Sequence, residues 1–207
     1  MKGYDELRGM QFDAIREIAS IGAGNAATAL SSILGKGVKI NVPKAELVSI
    51  NDAPDLLGGP ENVVSAILVR MSGDLNGIVL YMQDMDFINI VLESILGKTI
   101  NDYSELDEIC KSALVESGNI MISTFTTALS NLAGLNIGLS VPAHTINMAG
   151  AILMVPMVMI NFTGDKLMFL DGSFVCDGQE TPSKLLLLPD VESLDVLLEK
   201  LGVRDEQ

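Results

Sequence analysis

The sequence predicts an α+β fold built twice, an antiparallel sheet covered by helices, with a pseudo-twofold axis relating residues of about 5–100 to those of about 104–202. Three observations carry that expectation. The first is an internal repeat: moved by 99 residues, Asp13, Glu17, Ser20, Gly35 and Pro43 fall on Ser112, Glu116, Asn119, Gly134 and Pro142, and Thr28–Ser31 falls on an identical Thr127–Ser130. The second is a helical stripe present in both copies. Leu114, Gly118, Met121, Phe125, Ala128 and Leu132 step by 4, 3, 4, 3 and 4, and Ile15, Ala19, Gly22, Ala26, Ala29 and Ile33 match them one for one. That spacing is the buried face of a long amphipathic helix. The third is the alternating apolar segments joined by Gly-containing turns that follow each helix, which read as hairpins and require antiparallel pairing. Two copies suit a pseudo-symmetric domain; a solenoid needs more repeats to bury a continuous core.

In chain order, residues 5–34 form the first long helix, ended by Gly35. The run Gly22-Ala23-Gly24-Asn25-Ala26-Ala27 has the letters of a dinucleotide fingerprint, but that motif needs a strand ending at its first glycine. Here helical periodicity runs through it, and close helix packing is the expected use of the two glycines. Val38–Val42 alternates as a strand stopping at Pro43, with Glu46–Ile50 as a second short strand. After a loop over 51–61, strands Val63–Met71 and Gly77–Met82 make a hairpin. Asp84 caps a helix over 85–96, closed by Gly97. The second long helix begins at Glu105 or Leu106, and Ile137–Val141 repeats the first strand. Ala151–Phe162 and Leu167–Leu170 then read as a hairpin across Thr163-Gly164-Asp165. Residues 171–183 read as a polar insertion, Leu185–Leu188 as a strand, and Pro189-Asp190 as the opening of a last helix.

Composition narrows the function classes. With 48% hydrophobic and 19% charged residues the chain is globular. A net charge of -14 disfavours nucleic acid and anionic membrane as partners and favours a protein surface with a basic patch. There is no apolar leader, and the longest apolar run, 151–160, is too short to span a bilayer. Two cysteines are too few for a disulfide framework, so reduced thiols and a cytoplasmic location are expected. His144 is the single histidine, which leaves His-based metal sites and triads almost nothing to draw on; a polar surface or loop position is its default. Cys110 continues the buried stripe, and Cys176 lies in the insertion with no basic neighbour to lower its pKa. No Walker loop and no Cys-x-x-Cys occur.

The residues left to carry chemistry are Glu116 and Asn119, with Ser112, on the helix face opposite the apolar stripe. Glu17 and Ser20, with Asp13, occupy the same places in the first copy. A lone Glu-x-x-Asn is most often a solvated helix face; its duplication is what raises it.

The paired Asp/Ser-x-x-x-Glu-x-x-Asn segments, each followed by a proline about two dozen residues on, resemble the CheC/CheX/FliY family of bacterial chemotaxis phosphatases. The resemblance runs from about residue 5 to 202, and implies that the whole chain, 1–207, is a single CheC-like domain of two repeats. It implies hydrolysis of the phospho-aspartate of the response regulator CheY, an aspartyl-phosphate phosphatase activity. The Asn carboxamide would orient the attacking water, and the Glu would dock against a lysine of the regulator. No cofactor of the chain's own is implied, since the Mg²⁺ belongs to the regulator's site; the deamidase CheD is implied as a second partner. This chemistry is physically reasonable: an acyl phosphate is labile, and phosphoryl transfer asks mainly for positioning and charge stabilisation. A carboxamide both accepts and donates, so it can aim a water without a pKa near seven. The first copy departs from the pattern at Ser20, whose shorter side chain would hold water less firmly. The principal site is therefore expected at Glu116 and Asn119, with a weak first site at Glu17 and Ser20. Two alternatives stand beside it: a non-catalytic adaptor or flagellar-switch-like module binding the regulator or CheD, and a duplicated structural domain with solvated Glu/Asn faces.

Overall fold

The computed structural model describes Tyr4, Leu7 and residues 9–203. Two helices of 26 residues dominate it, α1 (Gly9–Leu34) and α3 (Glu108–Ala133). Residues 5, 6 and 8 of the first expected helix lie outside the described residues. The start of α3 is set by Asp107, whose carboxylate accepts from the Cys110 N–H at 2.8 Å. Its end is set by Gly134, which takes the left-handed conformation at φ 64° and bonds back to Ser130. The buried stripe follows the expected positions over most of each helix. At the last turn Ile33 and Leu132 are 45% and 49% exposed, and Leu34 and Ala133 are buried instead. A strict 3.5-residue repeat on a straight 3.6-residue helix drifts by about 20° per heptad, enough to rotate the final position out.

The strands are β1 (Val38–Ser49), β2 (Val63–Gly73), β3 (Gly77–Gln83), β4 (Ile137–Leu139), β5 (Ala143–Met148), β6 (Lys166–Cys176) and β7 (Gln179–Pro189). They form one antiparallel sheet in the order β1-β6-β7-β3-β2-β4, with β5 also on β2. The order is palindromic: β3 and β7 pair at the centre, and each half's first strand lies on the other half's hairpin. β1 of the first half pairs with β6, while β4 and β5 of the second pair with β2. Helices α1 and α3 cover one face together. Ala23 of α1, Met121 and Phe125 of α3, and Leu170 and Leu185 of the sheet line a small cavity of about 30 Å³ between them. The remaining helices are α2 (Met85–Leu96), capped by Asp84 and closed by Gly97 as expected, α4 (Ala149–Met159), and α5 (Val191–Lys200), capped by Asp190.

Three expectations are corrected. Residues 151–162 are not a hairpin strand; residues 151–159 lie in α4, which packs on β5, β2 and the short 3₁₀ helix Ala53–Leu57, and 160–162 follow it as a turn. An uninterrupted apolar run has no period to separate strand from helix, and Pro156 inside it is unsuited to a paired strand. The second hairpin is β6–β7, so residues 171–183 are its outer half rather than an insertion. Its turn is Asp177-Gly178, at φ 49° and 84°, the Asp-Gly pair that two-residue hairpin turns select. Finally, β1 does not stop at Pro43 but continues through a register shift between Asn41 and Lys44. Gly172 on the facing strand makes room, since a Cβ there would collide with the Asn41 carbonyl.

Candidate functional site

Glu17 and Ser20 on α1, and Glu116 on α3, are exposed, and Asn119 is partly exposed. The stripe that buries Leu114, Gly118, Met121 and Phe125 turns the Glu116/Asn119 face outward, and the same holds for Ile15, Ala19, Gly22 and Ala26 beneath Glu17 and Ser20. Both candidate pairs therefore stand on the outer side of one helical layer. Ser112 and Asp13, four residues before each Glu, are exposed as well; Asp13 is paired with Arg16 at 3.2 Å.

The two faces differ in what their polar groups already do. The Ser20 hydroxyl donates to the Arg16 carbonyl of its own helix at 2.9 Å, so its proton is committed to the backbone. Among the described residues neither the Glu116 nor the Asn119 side chain has a hydrogen-bond or ion-pair partner. The Asn119 amide thus keeps donor and acceptor free for a water or a partner, which Ser20 does not. Of the two fingerprint glycines, Gly22 has the expected packing role against Phe125 of α3. Gly24 has nothing within 4 Å of where its Cβ would be and serves no contact.

Beneath α3 lies a buried polar chain that the sequence reading missed. His144 Nε2 is 2.9 Å from Ser65 Oγ; Ser65 donates to Gln83 Oε1 at 3.1 Å; Gln83 Nε2 donates to the Leu114 carbonyl at 3.1 Å and to Ser117 Oγ at 3.4 Å. The signal was present: Ser65 and Gln83 are polar residues at inward positions of otherwise apolar strands, a pattern that demands buried partners. His144 is accordingly not a surface residue but half-buried on β5, and burial, with the nearby Lys111 ammonium, lowers its pKa below the ordinary histidine value. Cys110 and Cys176 are both buried; burial, with the Asp177 carboxylate, raises the Cys176 pKa, which keeps it protonated. Among the described residues no group of three or more His, Cys, Asp or Glu is placed to hold a metal ion, and no helix is long and apolar enough to cross a membrane.

The fold and site together define a duplicated-sheet protein that presents two corresponding Glu-bearing helices on one layer. The CheC-like family matches this chain twice, over residues 10–47 and 109–146, the two long helices with the strands that follow them. The CheY-P phosphatase CheC of Bacillus subtilis is 30% identical over 206 residues, covering 98% of this chain and 99% of that protein. The flagellar motor switch phosphatase FliY of the same organism is 31% identical over 139 residues, 67% of this chain and 36% of that protein. Among solved structures, FliY of Thermotoga maritima superposes with a TM-score of 0.79 at 22% identity, covering 97% of this chain and all of that one. A chain of the FliM–SpeE complex from H. pylori superposes at 0.72 with 15% identity, covering 97% and 98%. These two likenesses concern the fold. The chain belongs to the CheC-like family.

Proposed function

We propose that this chain is an aspartyl-phosphate phosphatase acting on a CheY-like response regulator, with its principal site on α3. The observation that carries the proposal is the pairing of Glu116 with Asn119 on the outer side of a helix whose opposite side is held in the core, the amide free of internal partners. The names of the B. subtilis relatives support the activity. In this reading Glu116 docks against a basic group of the regulator, and Asn119 enters the regulator's site and aims a water at the phosphorus, in line with the bond to the aspartyl oxygen. That bond breaks, and the regulator's aspartate and inorganic phosphate leave. The Mg²⁺ that neutralises the phosphoryl oxygens is the regulator's own. Glu17 provides a second docking point with little turnover, because Ser20 has neither the reach nor a free proton. A CheD-like deamidase is a second partner, and the setting is the cytoplasm.

The test is loss of phosphate from the phosphorylated regulator under matched Mg²⁺. Asn119→Ala lowers turnover by roughly two orders of magnitude, the scale seen when one preorganised polar group is removed, while association survives. The likeness in fold to FliM favours a second reading, binding without turnover. Undiminished phosphate on a regulator that binds normally to the parent chain supports that reading instead.

A further inference from the structure

Among the described residues, the polar chain under α3 is not repeated at the matching positions under α1. Gln83 is the last residue of β3, immediately before the helix-capping Asp84; in the other half Pro189 ends β7, immediately before the helix-capping Asp190. Pro189 offers no side-chain donor. The positions on α1 that correspond to Leu114 and Ser117 are Ile15 and Ile18, both buried and apolar. Among the described residues, Gln83 thus ties to the sheet the long helix that carries both Glu116 and Asn119; the buried amide of α1, Gln11, donates to the Val203 carbonyl beyond α5.

The tie is fully specified. Gln83, Ser65 and Ser117 are 1%, 0% and 2% exposed. Both protons of the Gln83 amide are used, on Leu114 O and Ser117 Oγ, and its oxygen accepts from Ser65. A flipped amide would set its oxygen against the Leu114 carbonyl, so a single orientation satisfies the chain. Because Ser65 gives its only proton to Gln83, His144 must be the donor at Nε2. Next to this anchor the helix also lies close to the sheet: a Cβ on Gly118 would stand 2.5 Å from Ile67 Cγ1 and 3.3 Å from Gln83 Nε2. Gly118 is the residue before Asn119.

We infer that Gln83 is a positioning residue for the reaction: by gripping α3 at Leu114 and Ser117 it fixes the rotation and height of the helix at which Asn119 meets the phosphoryl group. The inference rests on Asn119 being the water-positioning residue. An error of about 1 Å in such a group costs on the order of a hundredfold in rate, and partial release of a helix that remains packed costs less.

The variants are Gln83→Met, which keeps the volume and removes both the donors and the acceptor, Asn119→Ala, and the two combined. Each is measured for single-turnover loss of phosphate from phosphorylated regulator at matched Mg²⁺, and separately for association. Gln83→Met lowers turnover about tenfold, leaves association within about twofold, and adds no further loss in the Asn119→Ala background, because it acts through that amide. Parental turnover in Gln83→Met, or an equal further loss in the absence of the Asn119 amide, overturns the inference. If Gln83→Met does not fold, Ser65→Ala takes its place; it frees the amide to turn without touching α3, and it must meet the same two criteria with a loss of a few-fold. If Asn119→Ala itself retains parental turnover, the assignment of the site fails and the inference with it. If Asn119→Ala loses turnover and neither supporting variant does, the inference alone fails.

Discussion

Gly22 of α1 sits against the backbone of Phe125 in α3: a Cβ on Gly22 would lie 2.7 Å from the Phe125 Cα. The neighbour is main chain, which cannot swing aside. Gly22→Ala therefore separates the two helices and destabilises the protein by about 1–3 kcal/mol through overpacking, despite a helix-propensity gain of about 1 kcal/mol. Gly24→Ala, on the exposed side of the same helix with open space at its Cβ, keeps that gain and raises stability by up to about 1 kcal/mol. Denaturant unfolding of both variants checks the contrast; similar midpoints for the two would mean that the helices do not meet at Gly22.

The duplication supplies an internal control for catalysis. Since the Ser20 hydroxyl is spent on the Arg16 carbonyl, Ser20→Ala changes turnover little. Ser20→Asn raises it by at most about twofold, if the two sites act independently and become equal. Phosphate-release rates beside those of Asn119→Ala decide the matter. A Ser20→Ala variant as damaged as Asn119→Ala places the principal site on the wrong helix.

Docking is expected to use both helices. Glu17→Ala and Glu116→Ala each weaken association with the phosphorylated regulator by about two- to fivefold, the range for one exposed ion pair. Added salt weakens the parent in the same direction, since exposed charges are screened over about 10 Å at about 0.1 M. Titration at two ionic strengths reads both effects, and an affinity indifferent to either residue and to salt removes these faces from the interface.

His144 makes stability depend on pH. Its folded pKa lies below the unfolded value of about 6.5, chiefly through burial and then through Lys111, so the folded state prefers the neutral ring. As pH falls below about 6.5 the unfolded chain takes up a proton that the folded chain still refuses, and stability drops. The contribution is present above that pH and declines below it, down to the folded pKa. His144→Gln flattens this part of the profile between about pH 7.5 and about pH 5.5 in denaturant melts. An unchanged slope in the variant assigns the dependence to other groups.

Much of this architecture was legible because both copies repeat the same stripe and the same caps. Asp84 and Gly97 bound α2, and Gly35 and Gly134 end the long helices, by local chemistry that tertiary contacts did not override. The second hairpin was misread where local signals conflicted. Residues 151–160 are apolar at nearly every position, so no period marks them as helix, and the decisive Asp177-Gly178 turn lies among polar residues that resemble an insertion. Glu17, Ser20, Glu116 and Asn119 could be placed on an outer face from spacing alone. The Gln83 anchor could not, because it joins residues from β2, β3, β5 and α3 that only the sheet register brings together.

The exchange of strands between the halves bears on how such a chain can change over time. A single half released on its own would leave the outer edge of its hairpin unpaired, and could close it only by meeting a second copy, at a rate set by concentration. Joined in one chain, the halves find each other at any dilution. The fusion also ends the obligation of two identical subunits to stay identical. On the proposed reading, position 20 can do without a carboxamide while β1 goes on completing the sheet beside β6. Each half completes the other's sheet, and on the proposed reading the first is free to serve as scaffold and second point of grip.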